Sequence, residues 1–394
     1  MNNNSKNPTN SLNLPYISEC KYLPPEIWNR ILSTLPVKTL LKFRCVCKYW
    51  CSIIDNPDFI HMHFQHSQIN SGNNKKLLVA LEGIRTIGDE GYLFTLRDAE
   101  TLQNTGLILS KSVRWYRYRI INSCNGLLLV RRYVGNHYDE KIKLWNPSIR
   151  KSLMLPTCPF YRPCWYLFGF APDSQDYKVV ALHNKWEDEA KMYFAVYTLS
   201  NQQWTLRNNP LSVTNLNDMA NKSMYWLICC LLQAIFIRGV AYWLTFTHVV
   251  SFDFDKENMT VLKLPSSLNK KGYLRYLFLL GGSLAVFGIS GENASIWVLE
   301  QDNIKGPWTL WLSGKSSWKG YESFKEYNNS IEKIFYCERD GGYFVYGKKA
   351  YNIVSCKVHE LNKSMSYYLD LETYSESLVL SYGYEPVVWG STHE

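Results

Sequence analysis

A chain of 394 residues exceeds one average domain, and 46% hydrophobic with 15% aromatic residues is enough for a large core. A formal net charge of +9 favours acidic proteins, phosphorylated segments, nucleic acid or anionic membrane as contacts, yet no nucleic-acid recognition motif accompanies it. Eleven cysteines, an odd number, without a secretory leader argue against a disulfide framework and for free thiols in a reducing compartment, cytoplasm and/or nucleus.

Residues 1–17 open with MNNNSKNPTNSLN, polar and without an apolar run, and are expected to be a disordered tail. Residues 22–67 predict three short helical segments. In the first, Ile27, Trp28, Ile31, Leu32 and Leu35 share a face, and Pro24 and Pro25 sit where a helix begins. Pro36 breaks it. The second carries Val37, Leu40 and Leu41 in one row and Phe43, Val46, Cys47, Trp50 and Ile54 in another, so it is apolar on two sides. Pro57 restarts a third turn with Phe59, Ile60 and Phe64. A unit this small cannot bury apolar residues on opposite sides, so it must dock on a partner.

These residues resemble an F-box of the kind abundant in plants. The matching pieces are Leu23-Pro24-x-Glu26-Ile27, Ile31-Leu32, Leu35-Pro36-Val37-Lys38, Leu40-Leu41, Phe43-Arg44-Cys45-Val46-Cys47-Lys48, Trp50 and Pro57-x-Phe59. The resemblance implies an F-box domain over 18–66 that binds a Skp-type adaptor, and through it a cullin and a RING protein in an SCF ubiquitin ligase. Leu23, Pro24, Ile27, Ile31, Leu35, Pro36, Leu40, Leu41, Val46 and Trp50 would form or support the adaptor contact.

Within this segment, Cys45-x-Cys47 and Cys51 have no second ligand pair at zinc spacing and read as helix core. His61-x-His63-x-x-His66 lacks a completing Cys or carboxylate pair and reads as solvated or packed against the next domain. No metal and no cofactor is expected. A linker follows at 67–74.

From about residue 75 to 390 the helical period fades, and apolar strands alternate with turns. One pattern recurs, a strand, a polar turn and a strand closing on Trp or Leu-Pro. It appears at 142–156, 194–210, 249–265, 294–313 and 354–371. Between Leu144, Tyr197, Phe252, Trp297 and Cys356 the steps are 53, 55, 45 and 59 residues. A period near 50 residues predicts propeller blades, with room for about six, and inner strands such as 124–130, 176–182, 235–246 and 281–289. A closed ring would place the end of the chain, near Glu376-Ser-Leu-Val379, beside the strands after residue 75. The fold class is therefore α+β, a three-helix F-box followed by an all-β, six-bladed propeller-like domain.

The same region resembles the plant F-box-associated domain. The pieces are Ser123-Cys-Asn-Gly-Leu127, Leu144-Trp-Asn-Pro-Ser148 with Leu155-Pro156, Gly169-Phe170 with Asp176-Tyr-Lys-Val-Val180, and Val196-Tyr197 with Trp204. They continue with Gly239-Val-Ala-Tyr-Trp243, Ser251-Phe-Asp253 with Leu264-Pro265, Gly282-Ser-Leu284, Ile296-Trp297 with Trp308, and Glu376-Ser-Leu-Val379. At Arg238-Gly239 the family usually has Asn-Gly, so a longer or bulged loop is expected there.

The apolar segment 224–237 is shorter than the roughly 20 residues a spanning helix needs and contains Gln233, so it reads as a buried strand pair and no membrane partner is expected. No Gly-x-Ser-x-Gly elbow, Gly-Lys phosphate loop or His-Glu-x-x-His motif is present, which argues against an enzyme. Asp173 with Asp176, and Asp253 with Asp255 and Glu257, read as turn residues and not as a calcium loop. The basic run from Lys111 to Arg119 reads as a solvated blade edge on an outer strand.

Together the two resemblances imply a receptor that holds an unidentified target protein for ubiquitination, with nucleic acid an improbable partner. Loops 157–168, 183–191, 208–224 and 314–330 would carry specificity, through Arg162, Trp165, Trp186, Trp318 and Tyr321. Two alternatives stand beside it: a scaffold that never recruits a cullin, and an S-locus-type receptor for a ribonuclease.

Overall fold

The computed structural model describes residues 23–69, 77–86, 89–98, 103–113, 116–134, 139–160, 164–184, 191–212, 234–245, 248–268, 274–280, 282–290, 293–299, 308–315, 333–337, 341–346, 349–352, 358–360 and 367–380. The chain divides into two units, Met1–Ile69 and Asn70–Glu394.

Among the described residues the first unit has four α-helices, not the three expected: α1 (Pro25–Ser33), α2 (Val37–Phe43), α3 (Lys48–Ile54) and α4 (Pro57–Ile69). The segment read as one helix over 37–54 is broken at Cys47. This residue is extended (φ −155°, ψ 160°), and its Sγ accepts a hydrogen bond from Trp50 N, capping α3. Pro25 stands at the first helical position of α1, where its missing N–H costs nothing. Helix α4 runs on to Ile69, so Ser67 to Ile69, expected in the linker, are helical.

The second unit forms six four-stranded antiparallel sheets among the described residues. The first contains β1 (Leu77–Thr86), β2 (Asp89–Asp98) and β3 (Asn104–Val113). The second runs β4 (Tyr116–Cys124), β5 (Leu127–Val134), β6 (Asp139–Asn146) and β7 (Lys151–Met154). The third runs β8 (Cys164–Ala171), β9 (Asp176–Asn184), β10 (Lys191–Thr198) and β11 (Gln203–Ser212). The fourth is β12 (Ile235–Ile237), β13 (Val240–Leu244), β14 (His248–Asp253) and β15 (Asn258–Lys263). The fifth is β16 (Leu274–Leu280), β17 (Ser283–Ser290), β18 (Asn293–Leu299) and β19 (Trp308–Lys315). The sixth is β20 (Lys333–Cys337), β21 (Gly341–Tyr346), β22 (Lys349–Asn352) and β23 (Val358–Glu360).

The last strand, β24 (Tyr367–Tyr374), leaves its sequence neighbours and pairs with β1, Leu77 opposite Tyr374 and Ala80 opposite Leu371. The first sheet is thus completed by the end of the chain. This corrects the fifth sequence repeat, 354–371: its described residues are the outer strand of one sheet and the first strand of another, not a hairpin. Around the ring β24 adjoins β4, β4 adjoins β8, β8 adjoins β13, β13 adjoins β16, β16 adjoins β20 and β20 adjoins β24. The arrangement is a β-propeller.

The core lies between sheets. Between the first and second, Val79, Leu81, Phe94, Tyr118, Ile120, Val130 and Trp145 interlock, with Phe94 edge-on to Trp145 at 5.1 Å. Between the third and fourth, Leu167, Val180, Phe194, Val196, Trp243, Phe252 and Phe254 do the same. The recurring Trp and Leu-Pro have a shared purpose. The indole of Trp204 donates to Pro156 O (2.9 Å), and that of Trp308 donates to Lys263 O (2.9 Å), so the outer strand of one sheet latches to the end of the sheet before it.

The turns follow a rule as well. Three hairpins to outer strands, Asn146↔Lys151, Thr198↔Gln203 and Asp253↔Asn258, close over four residues, the last of which is left-handed: Arg150 (φ 54°), Gln202 (φ 53°) and Glu257 (φ 50°). Asn125 (φ 48°) and Gly126 (φ 79°) make the two-residue turn between Cys124 and Leu127. The turn at Arg238-Gly239 is not longer or bulged, as expected, but equally tight: Ile237 pairs with Val240, with Arg238 at φ 46° and Gly239 at φ 82°. Packing overrides the residue preference. A Cβ on Gly239 would lie 2.5 Å from Pro172 Cδ, and Gly239 O accepts from Phe254 N (2.9 Å), which leaves the chain one path. Arg238 therefore takes a conformation costing about 1–2 kcal/mol.

The basic run is also placed differently. Lys111 lies on β3, the outer strand of the first sheet, as expected, but Arg117 and Arg119 lie on β4, the innermost strand of the second, and Arg114 is outside the described residues. Of 224–237, only 234–237 are described, and Ile235–Ile237 form a strand. Among the described residues no helix is long and apolar enough to cross a membrane.

Candidate functional site

The helical unit has a small interior. Leu32, Val37, Leu40, Ile54 and Phe59 are buried, and His63 joins them, its ring against Phe59 and its Nε2–H donating to Leu35 O at 2.8 Å. That bond sets the tautomer and leaves Nδ1 buried without a hydrogen-bond partner. Burial pushes the His63 pKa below the usual histidine value. His63 is thus a core residue of its own unit and not solvated, while His61 pairs with Gln65 at 2.7 Å.

Against this interior stands an outward apolar stripe. Leu23, just before α1, and Ile27 and Ile31, four positions apart on it, are 40%, 41% and 43% exposed. Val46, in the turn between α2 and α3, is 62% exposed. Pro24 and Pro36 are exposed, while Leu35, Leu41 and Trp50 are half-buried. Leu40 differs from the rest of the expected set: it is fully buried, so it supports the surface from inside. Tyr49 also belongs to the exposed apolar set, at 38%, and was not among the expected residues.

Beneath the stripe the frame is stiff. Trp50 packs on Trp28 (5.3 Å between centroids) and Phe43 (4.9 Å). Arg44 grips Asp55 through two hydrogen bonds, 2.7 and 2.8 Å, tying the end of α2 to the end of α3. The hydrogen bond to Asp55 raises the Arg44 pKa further. The cysteines expected in the core are instead at the surface or half-buried: Cys45 is exposed, Cys47 caps α3, and Cys51 donates to Asp55 Oδ2 (3.4 Å). A groove of about 450 Å³ lies beside this frame, lined by Pro25, Tyr49, Ile53, Phe59 and Met62 among others.

In the propeller the expected target-binding set fares differently. Arg162, Trp186, Trp318 and Tyr321 lie outside the described residues. Trp165 is not in a loop: β8 begins at Cys164, and Trp165 packs half-buried on the core between the third and fourth sheets. Strand pairing also claims 183–184, 208–212 and 314–315 from the expected loops. The acidic turn residues are structural, and two of them reach further than their own turns. Asp253 Oδ1 accepts from Asp255 N and Lys256 N, as a turn aspartate does. Asp255 instead accepts from Asp173 N and Ser174 N (3.1 Å each), and Glu257 accepts from Lys178 (3.0 Å) and Arg207 (2.5 Å), joining the fourth sheet to the third. Burial works to raise the Glu257 pKa, but the two cations hold it below the usual value. Among the described residues no group of three His, Cys, Asp or Glu side chains is placed to hold a metal ion.

The family model for the F-box associated beta propeller domain matches residues 88–374, and that for the F-box domain matches 22–62. This chain is an F-box protein of the F-box-associated propeller family. An F-box/kelch-repeat protein of Arabidopsis thaliana is 26% identical over 308 residues, covering 74% of this chain and 79% of that protein. The F-box protein CPR1 of Arabidopsis thaliana is 22% identical over 319 residues, 73% of this chain and 71% of that one. Among solved structures, YCF48 from Cyanidioschyzon merolae superposes with a TM-score of 0.41 at 10% identity, covering 73% of this F-box protein and 87% of that chain.

Proposed function

We propose that this F-box protein is the substrate-recognition subunit of an SCF-type ubiquitin ligase. The helical unit binds a Skp-type adaptor, which brings a cullin and a RING protein, and the propeller, read as a ring of six blades, binds a target protein. The chain itself is non-catalytic; transfer of ubiquitin belongs to the partner enzymes. It acts in the cytoplasm and/or nucleus.

One observation carries this reading: Leu23, just before α1, and Ile27 and Ile31 on it are 40–43% exposed in a domain that matches the F-box model, while Leu32 and Leu40 are buried in its interior. An apolar stripe outside a completed core is a surface built for another protein. The adaptor contact is assigned to Leu23, Pro24, Ile27, Ile31, Leu35, Pro36, Leu41, Val46 and Trp50, with Leu40 as internal support.

The test is adaptor binding by the full-length protein carrying Leu23→Ala and Ile27→Ala. Removing anchors from a desolvated interface costs ~2 kcal/mol or more, a loss of at least about thirtyfold in affinity. Both side chains are at the surface, so thermal unfolding should change little. Undiminished binding by the double variant would refute the assignment, and a complex with adaptor but no cullin would favour the scaffold.

A further inference from the structure

Two cysteines that the proposed function leaves unused stand together in the propeller. Cys158 lies in the connection from β7 to β8, and Cys164 is the first residue of β8. Both are free thiols, and their sulfurs are 3.7 Å apart.

The approach is built by the surroundings. On one side of Cys158, Pro156 O is held by the Trp204 indole at 2.9 Å. On the other, Phe160 stacks on His183 at 5.0 Å, and His183 is the residue paired with Cys164 across β8 and β9. Arg131 donates to Cys164 O (2.7 Å), pairs with Glu140 (2.8 Å) and stands over the Tyr166 ring at 5.3 Å. The two thiols are unequal. Cys164 is buried and Cys158 half-buried. The hydrogen bond between them holds the Cys158 pKa below the usual cysteine value and drives that of Cys164 up. A partly accessible thiol with depressed pKa beside a resolving thiol is the arrangement that reacts selectively with oxidants.

We propose that Cys158 and Cys164 form an oxidant-responsive dithiol, with a hydroperoxide as its substrate class and an intramolecular disulfide as its product. The Cys158 thiolate attacks one peroxide oxygen: an S–O bond forms, the O–O bond breaks, and the leaving oxygen departs as water after taking a proton. Cys158 is then a sulfenic acid, oxidised by two electrons. The Cys164 sulfur attacks Cys158, the S–S bond forms, the S–O bond breaks, and hydroxide leaves as water with the Cys164 proton. Two thiols and one hydrogen peroxide thus give one disulfide and two waters. The bond closes the connection between the second and third sheets, and a thiol reductant reopens it.

The test uses the full-length protein, reduced and freed of reductant, exposed to rising hydrogen peroxide, then alkylated and digested with trypsin. The Arg162–Pro163 bond resists trypsin, so residues 152–178 stay in one peptide containing both cysteines. That peptide should become unalkylated and lighter by two hydrogens at peroxide levels that leave the exposed Cys45 fully alkylatable, and dithiothreitol should reverse the change. In Cys164→Ser, dimedone should trap a sulfenic acid on Cys158; in Cys158→Ser, Cys164 should stay unlabelled. Oxidation of Cys45 ahead of the pair, or equal dimedone labelling of Cys164 in Cys158→Ser, would overturn the proposal.

Discussion

The helical unit and the propeller meet the same problem, too much apolar surface for local structure to hide, in opposite ways. In the propeller, described cores fill the spaces between the first and second, third and fourth, and fourth and fifth sheets, and the first sheet gains its missing strand from the end of the chain through the β1–β24 ladder. Beyond β24, Asn146 donates to Ser377 O (3.0 Å) and Val379 O (2.7 Å), and Tyr374 OH accepts from Ser148 N (2.9 Å), so the tail is stitched onto the second sheet. Among its described residues the helical unit shows no such internal supply. It buries Leu32, Val37 and Leu40 and leaves Leu23, Ile27, Ile31 and Val46 outside. The ring is finished by its own chain; under the proposed function, the F-box would be finished by the adaptor.

The sharpest way to break that contrast is to unfinish the ring. A chain ending at residue 366 loses β24 and the bonds from Ser377 and Val379, leaving β1 as an open edge. It should aggregate or lose its cooperative melt, and a soluble chain melting at the wild-type temperature would show that closure is dispensable. Next in size, Leu40→Ala should destabilise the helical unit by ~2–5 kcal/mol, while Ile27→Ala should change stability by less than about 0.5 kcal/mol. Thermal or denaturant unfolding of both variants measures whether interior and outward stripe are separate, and equal losses would merge them.

A smaller effect comes from His63. The folded unit holds the ring neutral below the usual pKa, whereas the unfolded chain takes up a proton near pH 6.5. Stability is therefore fully present above about pH 6.5 and falls as pH drops from there toward the folded-state pKa, by up to ~1.4 kcal/mol per pH unit. Unfolding of the helical unit followed from pH 7 to 5 should show this slope, and His63→Phe should remove it. The smallest effect is in the propeller. Arg238→Asn should stabilise by ~0.5–1 kcal/mol, because asparagine tolerates the left-handed turn that arginine is forced into. A variant less stable than wild type would mean that the Arg238 side chain contributes more than its backbone costs.

Helical spacing placed Ile27 and Ile31 on one face but also gave that face Leu32, which is buried. The closing of the ring by the end of the chain was legible, although the closing strand is Tyr367–Tyr374 and not 376–379. What could not be read was set by contacts across long sequence distances. Leu40 has the same apolar signature as Ile27, and only the packing of the helices on one another decides that one is buried and the other exposed. Trp165 has the composition of a binding residue, but β8 starts one residue earlier and turns it onto the core.

By itself the sequence determined the two-part division, the propeller period, the helix breaks at Pro36 and Pro57 and the existence of an unpartnered apolar face, because proline geometry and side-chain periodicity act over a few residues. Tertiary structure alone decided that residues 367–374 form the closing strand, that Arg238 accepts a left-handed turn against Pro172, that Asp255 and Glu257 serve a neighbouring sheet, and that Cys158 meets Cys164. Each of these depends on elements packed in space, where a few kcal/mol of packing outweigh the preference of any single residue.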